Sequence, residues 1–343
     1  MFSDLIDQNG VFIVAEIGNN HNGDPDTAKK LIDAAAAAGV DAVKFQTFRG
    51  LDIVSPRVAA HEYKDWNIEG FDQWYQFLDS IALPFDKHAE VFQHASQAGV
   101  IPFSTPTSTA AVALLESIGT RLYKIASMDV TNVQLLEAVS RTGKPVILST
   151  GMALEEEITL AVDFFDRQNL AVLHCVSDYP LNPQDANLRS IAWLKERFGC
   201  PVGFSDHSLG NELVTAAVAM GAVIIEKHIT LDRQSTRKAE HHFALEPAEL
   251  KQMVKKIRLI EAALGAATIN LSHKERDLRE KARRSLHATR ELKSGHTLEP
   301  EDIAIVRPGD GAPPQDYAFF IGKVLDVDVS AWAPINKEVL KLS

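Results

Sequence analysis

The 343-residue sequence predicts a closed (β/α)8 barrel followed by a small, mostly β C-terminal domain. Three observations carry that expectation. From residue 11 to about 264, short apolar, β-branched runs alternate with longer helix-patterned stretches, which is the pattern of repeated βα units with parallel strands. Eight such runs occur, and eight units in about 250 residues match the size of the α/β fold called a TIM barrel. Past Gly265 the alternation stops and does not return.

The strand runs, in order, are FIVAEIG (12–18), DAVKFQT (41–47), VIPFST (100–105), RLYKIAS (121–127), PVILST (145–150), AVLHCV (171–176), PVGFSD (201–206) and AVIIEKH (222–228). Between them lie DTAKKLIDAAAAAG, TNVQLLEAVSRTG and NELVTAAVAMG, helical patterns closed by a glycine where a C-cap falls. The first βα turn has no G-x-G-x-x-G, so an open dinucleotide-binding sheet loses its main support. One connection, residues 48–85 with Trp66 and Trp74, is long enough to read as a lid or binding loop, or as an excursion pinned by aromatic residues. The expected domains are the barrel at 1–265, a charged, helix-prone linker at 266–283 and a Gly/Pro-punctuated second domain at 284–343. A domain of that size is marginal alone and is expected to lean on a barrel, its own or a partner's.

With 45% apolar residues the chain can bury a large core. No apolar run of about eighteen residues occurs, and the N-terminus MFSDLIDQNG lacks the pattern of a signal peptide, so the expected compartment is the cytoplasm, with no membrane role. The formal net charge of −11 opposes binding to nucleic acid or an anionic membrane. Cys175 and Cys200 sit in apolar segments and are expected in the core.

In such a barrel the reactive groups lie at the carboxyl ends of the strands. The polar residues there are Glu16, Lys44 and Gln46, Ser104 and Thr105, Lys124 and Ser127, Ser149, His174 with Ser177 and Tyr179, Ser205 and His207, and Glu226 and His228. Alternation puts Lys44 and Gln46 on one face, as it does Ser205 with His207 and Glu226 with His228. One buried Lys or Glu is ordinarily a satisfied core group; recurrence on nearly every strand points to a site. Lys44 and Lys124, with the hydroxyls of Ser127, Ser149 and Ser205 and the Gly151 backbone, suit a phosphate and a carboxylate. His207 and His228 could offer two imidazoles to a divalent metal with open positions.

VAEIGNNHNGDPDTAKKLIDAAAAAGVDAVKFQTF, YKIAS, GKPVILSTGM, HCVSDYP, GFSDHSLG and IIEKHITLD resemble, in order and spacing, the bacterial sialic acid synthase family, which includes spore-coat polysaccharide, legionaminate and pseudaminate relatives. RRSLHATRELKSGHTLEPEDIAIVRPGDG resembles that family's antifreeze-like (SAF) domain. The resemblance implies a metal-dependent condensation of phosphoenolpyruvate with N-acetylmannosamine or a related aldehyde sugar, releasing phosphate by C–O cleavage. It implies Glu16 as acid/base, and His207 and His228 as ligands of a manganese-type ion, with Mg2+ or Co2+ as alternatives. Phosphoenolpyruvate would lie on Lys44, Lys124, Ser127, Ser149, Ser177, Tyr179 and Ser205. Asn20, Gln46, Thr105 and Glu240 would face the sugar, and Arg283 or Arg284 would reach the sugar site of a neighbouring subunit in a domain-swapped homodimer.

Two segments depart from the family pattern. Where the family usually reads Gly-Pro-Asp-His after strand eight, this chain reads RKAEHHFALEP, with Glu240 nearest to the Asp and Arg237 and Lys238 beside it; Ser177 replaces the family's Asn. Two rivals stand beside this reading. One is another barrel that condenses phosphoenolpyruvate with an aldose phosphate, which would need more arginines at the mouth. The other is a non-catalytic carbohydrate-binding or ice-binding protein, which has no use for Glu16, His207 and His228 together.

Overall fold

The computed structural model describes residues 10–62, 70–235 and 240–341. Trp66, Arg237 and Lys238 lie outside them. The strands are β1 (Phe12–Gly18), β2 (Ala42–Thr47), β3 (Ile101–Pro106), β4 (Tyr123–Ile125), β5 (Val146–Ser149), β6 (Leu170–Cys175), β7 (Val202–Asp206) and β8 (Ile224–His228). Each pairs in parallel with the next, and β1 closes the barrel on β8. A helix packs on the outside after each strand: α1 (Pro25–Ala38), α2 (His88–Gln97), α3 (Thr109–Ser117), α4 (Val133–Ser140), α5 (Glu155–Val162), α6 (Ser190–Phe198), α7 (Glu212–Ala219) and α8 (Pro247–Leu264), with the further helices Gly50–Ile53 and Trp74–Ile81 between β2 and α2.

The local chemistry explains these limits. At α1, the Asp24 carboxylate accepts hydrogen bonds from the backbone N–H groups of Asp26 and Thr27, Pro25 begins the first turn, and Gly39 stops the helix at φ 88°. The buried stripe Ala28, Leu31, Ile32, Ala35 and Ala38 lays the helix on the barrel. The run expected over 121–127 shortens to three strand residues, because a 3-10 turn, Ser127–Asp129, takes over beyond Ala126.

Period-two alternation separates two cores. Ile13, Ala15 and Ile17 of β1 point outward to the helices, as do Val43 and Phe45 of β2, Val172 of β6, and Val202 and Phe204 of β7. Phe12, Val14, Ala42, Phe103, Leu122, Ile147, Ala171, Leu173 and Ile224 point inward and plug the barrel. Each of the larger side chains among these contributes roughly 1.5–3 kcal/mol on full burial. Gly203 belongs to this plug: a Cβ there would collide with the Ile224 carbonyl oxygen and lie 2.6 Å from Leu173 Cδ2.

The excursion after β2 has a small core of its own, in which Phe48, Trp74, Phe77, Leu78 and Ile81 pack together around the helix Trp74–Ile81. Cys175 and Cys200 are buried and unbridged. Among the described residues no helix is long and apolar enough to cross a membrane.

The chain divides into two compact units, 1–265 and 266–343. The stretch expected as a linker carries a helix, α9 (His273–Ala282), with a capping box between Ser272 and Glu275. After it, β9 (Ser285–Ala288) pairs antiparallel with β10 (Ile303–Val306), and Leu286, Leu298, Phe320, Leu325 and Ile335 form the core of this unit.

One buried group ties barrel stability to pH. His21 is fully enclosed, its Nδ1 accepts from the Gly23 N–H, and burial together with neighbouring His88 pushes its pKa down to about 4 from 6.5. A histidine held neutral when folded takes up its proton only on unfolding, so stability is intact above pH 6.5 and falls between 6.5 and about 4. The shift corresponds to on the order of 3 kcal/mol at the lower end. Urea unfolding from pH 7 to 4 should therefore show a falling midpoint, with a shallower fall in His21→Asn; equal slopes would remove His21 from the linkage.

Candidate active site

The inward face that is apolar at the bottom of the barrel becomes charged at the strand ends. β1 runs Phe12, Val14, Glu16 inward, and β8 runs Ile224, Glu226, His228. The register places Glu16 beside both Lys44 and His228, and Ser205 beside Glu226. A layer of buried polar groups follows directly from strand phase.

Two ammonium groups and two carboxylates form its centre. Lys44 Nζ lies 2.6 Å from Glu16 Oε2 and 3.7 Å from Glu226 Oε2, while Lys124 Nζ lies 3.6 Å from Glu226 Oε1. Hydroxyls complete it: Lys124 donates to Ser149 Oγ at 2.6 Å, Lys44 donates to Thr105 Oγ1 at 3.3 Å, and Ser205 Oγ donates to Glu226 Oε1 at 2.8 Å. Burial opposes the charge on Glu226, yet Lys124, Lys44 and Ser205 outweigh it and hold the carboxyl below the usual range. Burial likewise opposes the charge on Lys44, and Glu16 and Glu226 outweigh it and hold the ammonium above its usual value. Burial wins at Lys124, whose pKa falls, and at Glu16, whose carboxyl is raised despite Lys44.

Beside this centre, Gly151 donates its N–H to Ser127 Oγ at 2.9 Å. A Cβ at position 151 would lie 2.5 Å from Ser177 Oγ, so a glycine is needed to bring the two serines together. Tyr179 packs against His207 with 4.3 Å between ring centroids and the planes tilted by 40°, and Phe243 packs against both histidines.

The rings of His207 and His228 stand 5.5 Å apart. His207 Nδ1 donates to the Val176 carbonyl at 3.0 Å, which leaves Nε2 as its acceptor nitrogen. Burial pushes His207 down to about 4, and burial and His207 push His228 well below the ordinary value, so both rings are neutral at neutral pH, the form that binds metal. His228 Nδ1 and Glu240 Oε2 are buried without hydrogen bonds and lie 3.3 Å apart. Ligand atoms of Glu16, His228 and Glu240 fall within 4.8 Å of one another. Imidazole nitrogen and carboxylate oxygen suit a divalent ion of the Mn2+ type, so the donor set fits such a group.

Of the residues expected to face a sugar, Gln46 joins the cluster, donating to Glu16 Oε1 at 3.3 Å and accepting from Asn19 at 3.0 Å. Asn20 Nδ2 donates to the main-chain carbonyls of Ile229 and Glu240, at 2.9 and 3.4 Å, and braces the loop that carries Glu240, while its Oδ1 is buried without a partner. Arg284 is exposed and belongs to the second unit. Glu226 stands out in sequence only as a polar strand end, and its place between two lysines needs the closed barrel to become visible. Asn19 lies within the VAEIGNNHNG motif without a role being read for it there, and Phe243 sits in the segment that departs from the family pattern.

A family profile described as the NeuB family matches residues 31–268, and one described as the SAF domain matches 283–340. The chain belongs to the NeuB family. It is 37% identical over 327 residues to the N,N'-diacetyllegionaminic acid synthase of Legionella pneumophila, covering 93% of this chain and 92% of that protein. It is 36% identical over 329 residues to the pseudaminic acid synthase of Campylobacter jejuni, covering 93% of each. Among solved structures, the N-acetylneuraminic acid synthetase of Leptospira borgpetersenii, in complex with citrate, superposes with a TM-score of 0.70 at 35% identity, covering 79% of this chain and 90% of that one. These two relatives are named as acid synthases, and each match covers 93% of this chain, which takes in parts of both units.

Removing one charge from the centre gives a direct test. Glu226→Gln leaves two buried ammonium groups with one carboxylate fewer, and breaking such a buried pairing costs about 3–5 kcal/mol. Urea unfolding should show that loss, and inorganic phosphate should restore part of it by supplying the missing negative charge. Unchanged stability, with or without phosphate, would mean that the lysines are not held as a charged pair.

Proposed function

We propose that this chain condenses phosphoenolpyruvate with the open-chain aldehyde of a hexose derivative, giving a nonulosonic acid and phosphate for surface polysaccharide, in the cytoplasm. The observation that carries the proposal is the pair of buried ammonium groups at Lys44 and Lys124, ringed by hydroxyls at the carboxyl end of the barrel. Two buried ammonium groups that share Glu226 gain from a further anion arriving beside them. Phosphoenolpyruvate offers a phosphate and a carboxylate together, suited to Lys44, Lys124, Ser149 and Ser205, with Ser127, Ser177 and Tyr179 at the edge. The names of the relatives point to a legionaminate-like or pseudaminate-like product.

Chemically, C3 of the enol forms the new bond to the aldehyde carbon, water adds at C2, and the C–O bond to phosphate breaks. A divalent ion would be held by His228, with His207 as a further donor, and would supply positive charge where the aldehyde oxygen becomes negative. Glu16, its carboxyl raised by burial, is placed to hold or release a proton beside the acceptor, and Gln46 orients it. Phe243 and Tyr179 keep water from the histidine side.

Exposed apolar residues stand on the loops at the mouth: Met128 after β4, Met152 and Leu154 after β5, Leu209 after β7 and Leu231 after β8. We infer that a second copy covers them in a domain-swapped homodimer, with Arg284 reaching the partner's sugar site.

With phosphoenolpyruvate, Mn2+ and a panel of aldehyde hexose derivatives, free phosphate should appear only with an accepted sugar. Lys124→Met should lower the rate about a hundredfold or more. No release with any sugar would favour a binding role. For the dimer, an equal mixture of inactive Lys124→Met and Arg284→Ala chains should recover about a quarter of wild-type activity, because half the dimers hold one intact site. No recovery after subunit exchange would refute the swap.

A further inference from the structure

We propose that Glu240 is a direct ligand of the divalent ion, binding it together with His228, rather than a residue that contacts only the sugar. The inference rests on the divalent-ion reading above and adds to it the identity of a ligand.

Four observations lead there. His228 Nδ1 is enclosed, with 6% of its side chain exposed, and makes no hydrogen bond, although an imidazole nitrogen in that position ordinarily finds a partner. Glu240 Oε2 is likewise buried without a hydrogen bond, 3.3 Å away. Two adjacent ligand atoms on an octahedral ion with bonds of about 2.1 Å stand about 3 Å apart, so this pair is spaced to share one ion. Finally, the space between the carboxylates is left open by the backbone: Gly18 sits at φ 53°, and a Cβ there would lie 2.6 Å from Glu240 Oε2 and 3.2 Å from Glu16 Oε1.

The neighbours explain why Glu240, and not Glu16, is the carboxylate available to the ion. Glu16 is already ion-paired with Lys44 at 2.6 Å. Glu240 faces His228, and its loop is held in place by the Asn20 amide, which donates to the Glu240 carbonyl. Glutamate matters here for its reach: the side chain enters from the loop after β8 and extends to a histidine at the strand end. A carboxylate oxygen beside imidazole also biases the site toward ions such as Mn2+ that accept both donor types.

The test measures Mn2+ binding by the full-length protein, with phosphoenolpyruvate present and no sugar, from the loss of the free-ion electron paramagnetic resonance signal. Glu240→Gln keeps the volume and removes the charge, and should raise the Mn2+ dissociation constant about tenfold to a hundredfold. Glu240→Asp keeps the charge but withdraws its oxygen by one methylene, and should also weaken binding, so the proposal stays testable if either variant folds poorly. An unchanged Mn2+ affinity in both variants, with only the KM for the sugar raised, would overturn the proposal and leave the proposed function standing. If the wild-type protein bound no Mn2+ while still releasing phosphate, the metal reading itself would fall and the ligand assignment with it.

Discussion

Two ammonium groups sharing a buried carboxylate are tolerable only inside a frame that cannot relax away from them. Lys44 and Lys124 lie on strands separated by β3, and Glu226 approaches from β8 across the barrel interior. No local segment could assemble these three groups; only closure of the sheet brings them together. The apolar plug below them, from Phe12 to Ile224, excludes water from one side and lowers the local dielectric, which strengthens every charge interaction above it. The same plug makes an incoming anion worth more there than at the acidic surface.

The strand runs are legible because an eight-fold recurrence of apolar, β-branched segments is a strong signal, and because inward and outward residues alternate without a break from Phe12 to Glu16 and from Ile224 to His228. That phase also makes Lys44 with Gln46, and Ser205 with His207, readable as facing pairs from the sequence alone. Strand length is less legible: RLYKIAS carries the composition of a full strand, yet only Tyr123–Ile125 pairs, because the turn at Ser127 is held by tertiary partners such as the Gly151 N–H. The helix His273–Ala282 reads as linker in sequence because charge and helix propensity alone cannot distinguish a solvated helix from a charged tether.

Loop residues show where sequence reasoning runs out. Asn20 and Glu240 are 220 residues apart, and nothing in either segment announces that the Asn20 amide holds the Glu240 backbone. A motif can nominate an amide for a sugar hydroxyl, but it cannot exclude a backbone carbonyl as the partner, since both are acceptors of similar geometry. The resemblance places Glu240 near the site by analogy with an aspartate; the unpaired His228 nitrogen beside it is a fact of distance, available only from the fold.

The outward phase of the last two strands accounts for the placement of the histidines. Asp206 and Lys227 are both fully buried, on the opposite face from Ser205, His207, Glu226 and His228, and Lys227 Nζ donates to Asp206 Oδ2 at 2.7 Å and to the Ser208 carbonyl. Asp206 in turn accepts from the Ser208 N–H at 2.9 Å. Apolar residues could fill that volume, but burial of apolar surface is non-directional, whereas this pair fixes one strand end against the other at a defined register. His207 comes directly after Asp206 and His228 directly after Lys227, so each histidine is one residue beyond an anchored position. The alternation that hides a charged pair behind the barrel therefore sets the separation of the two imidazoles in front of it.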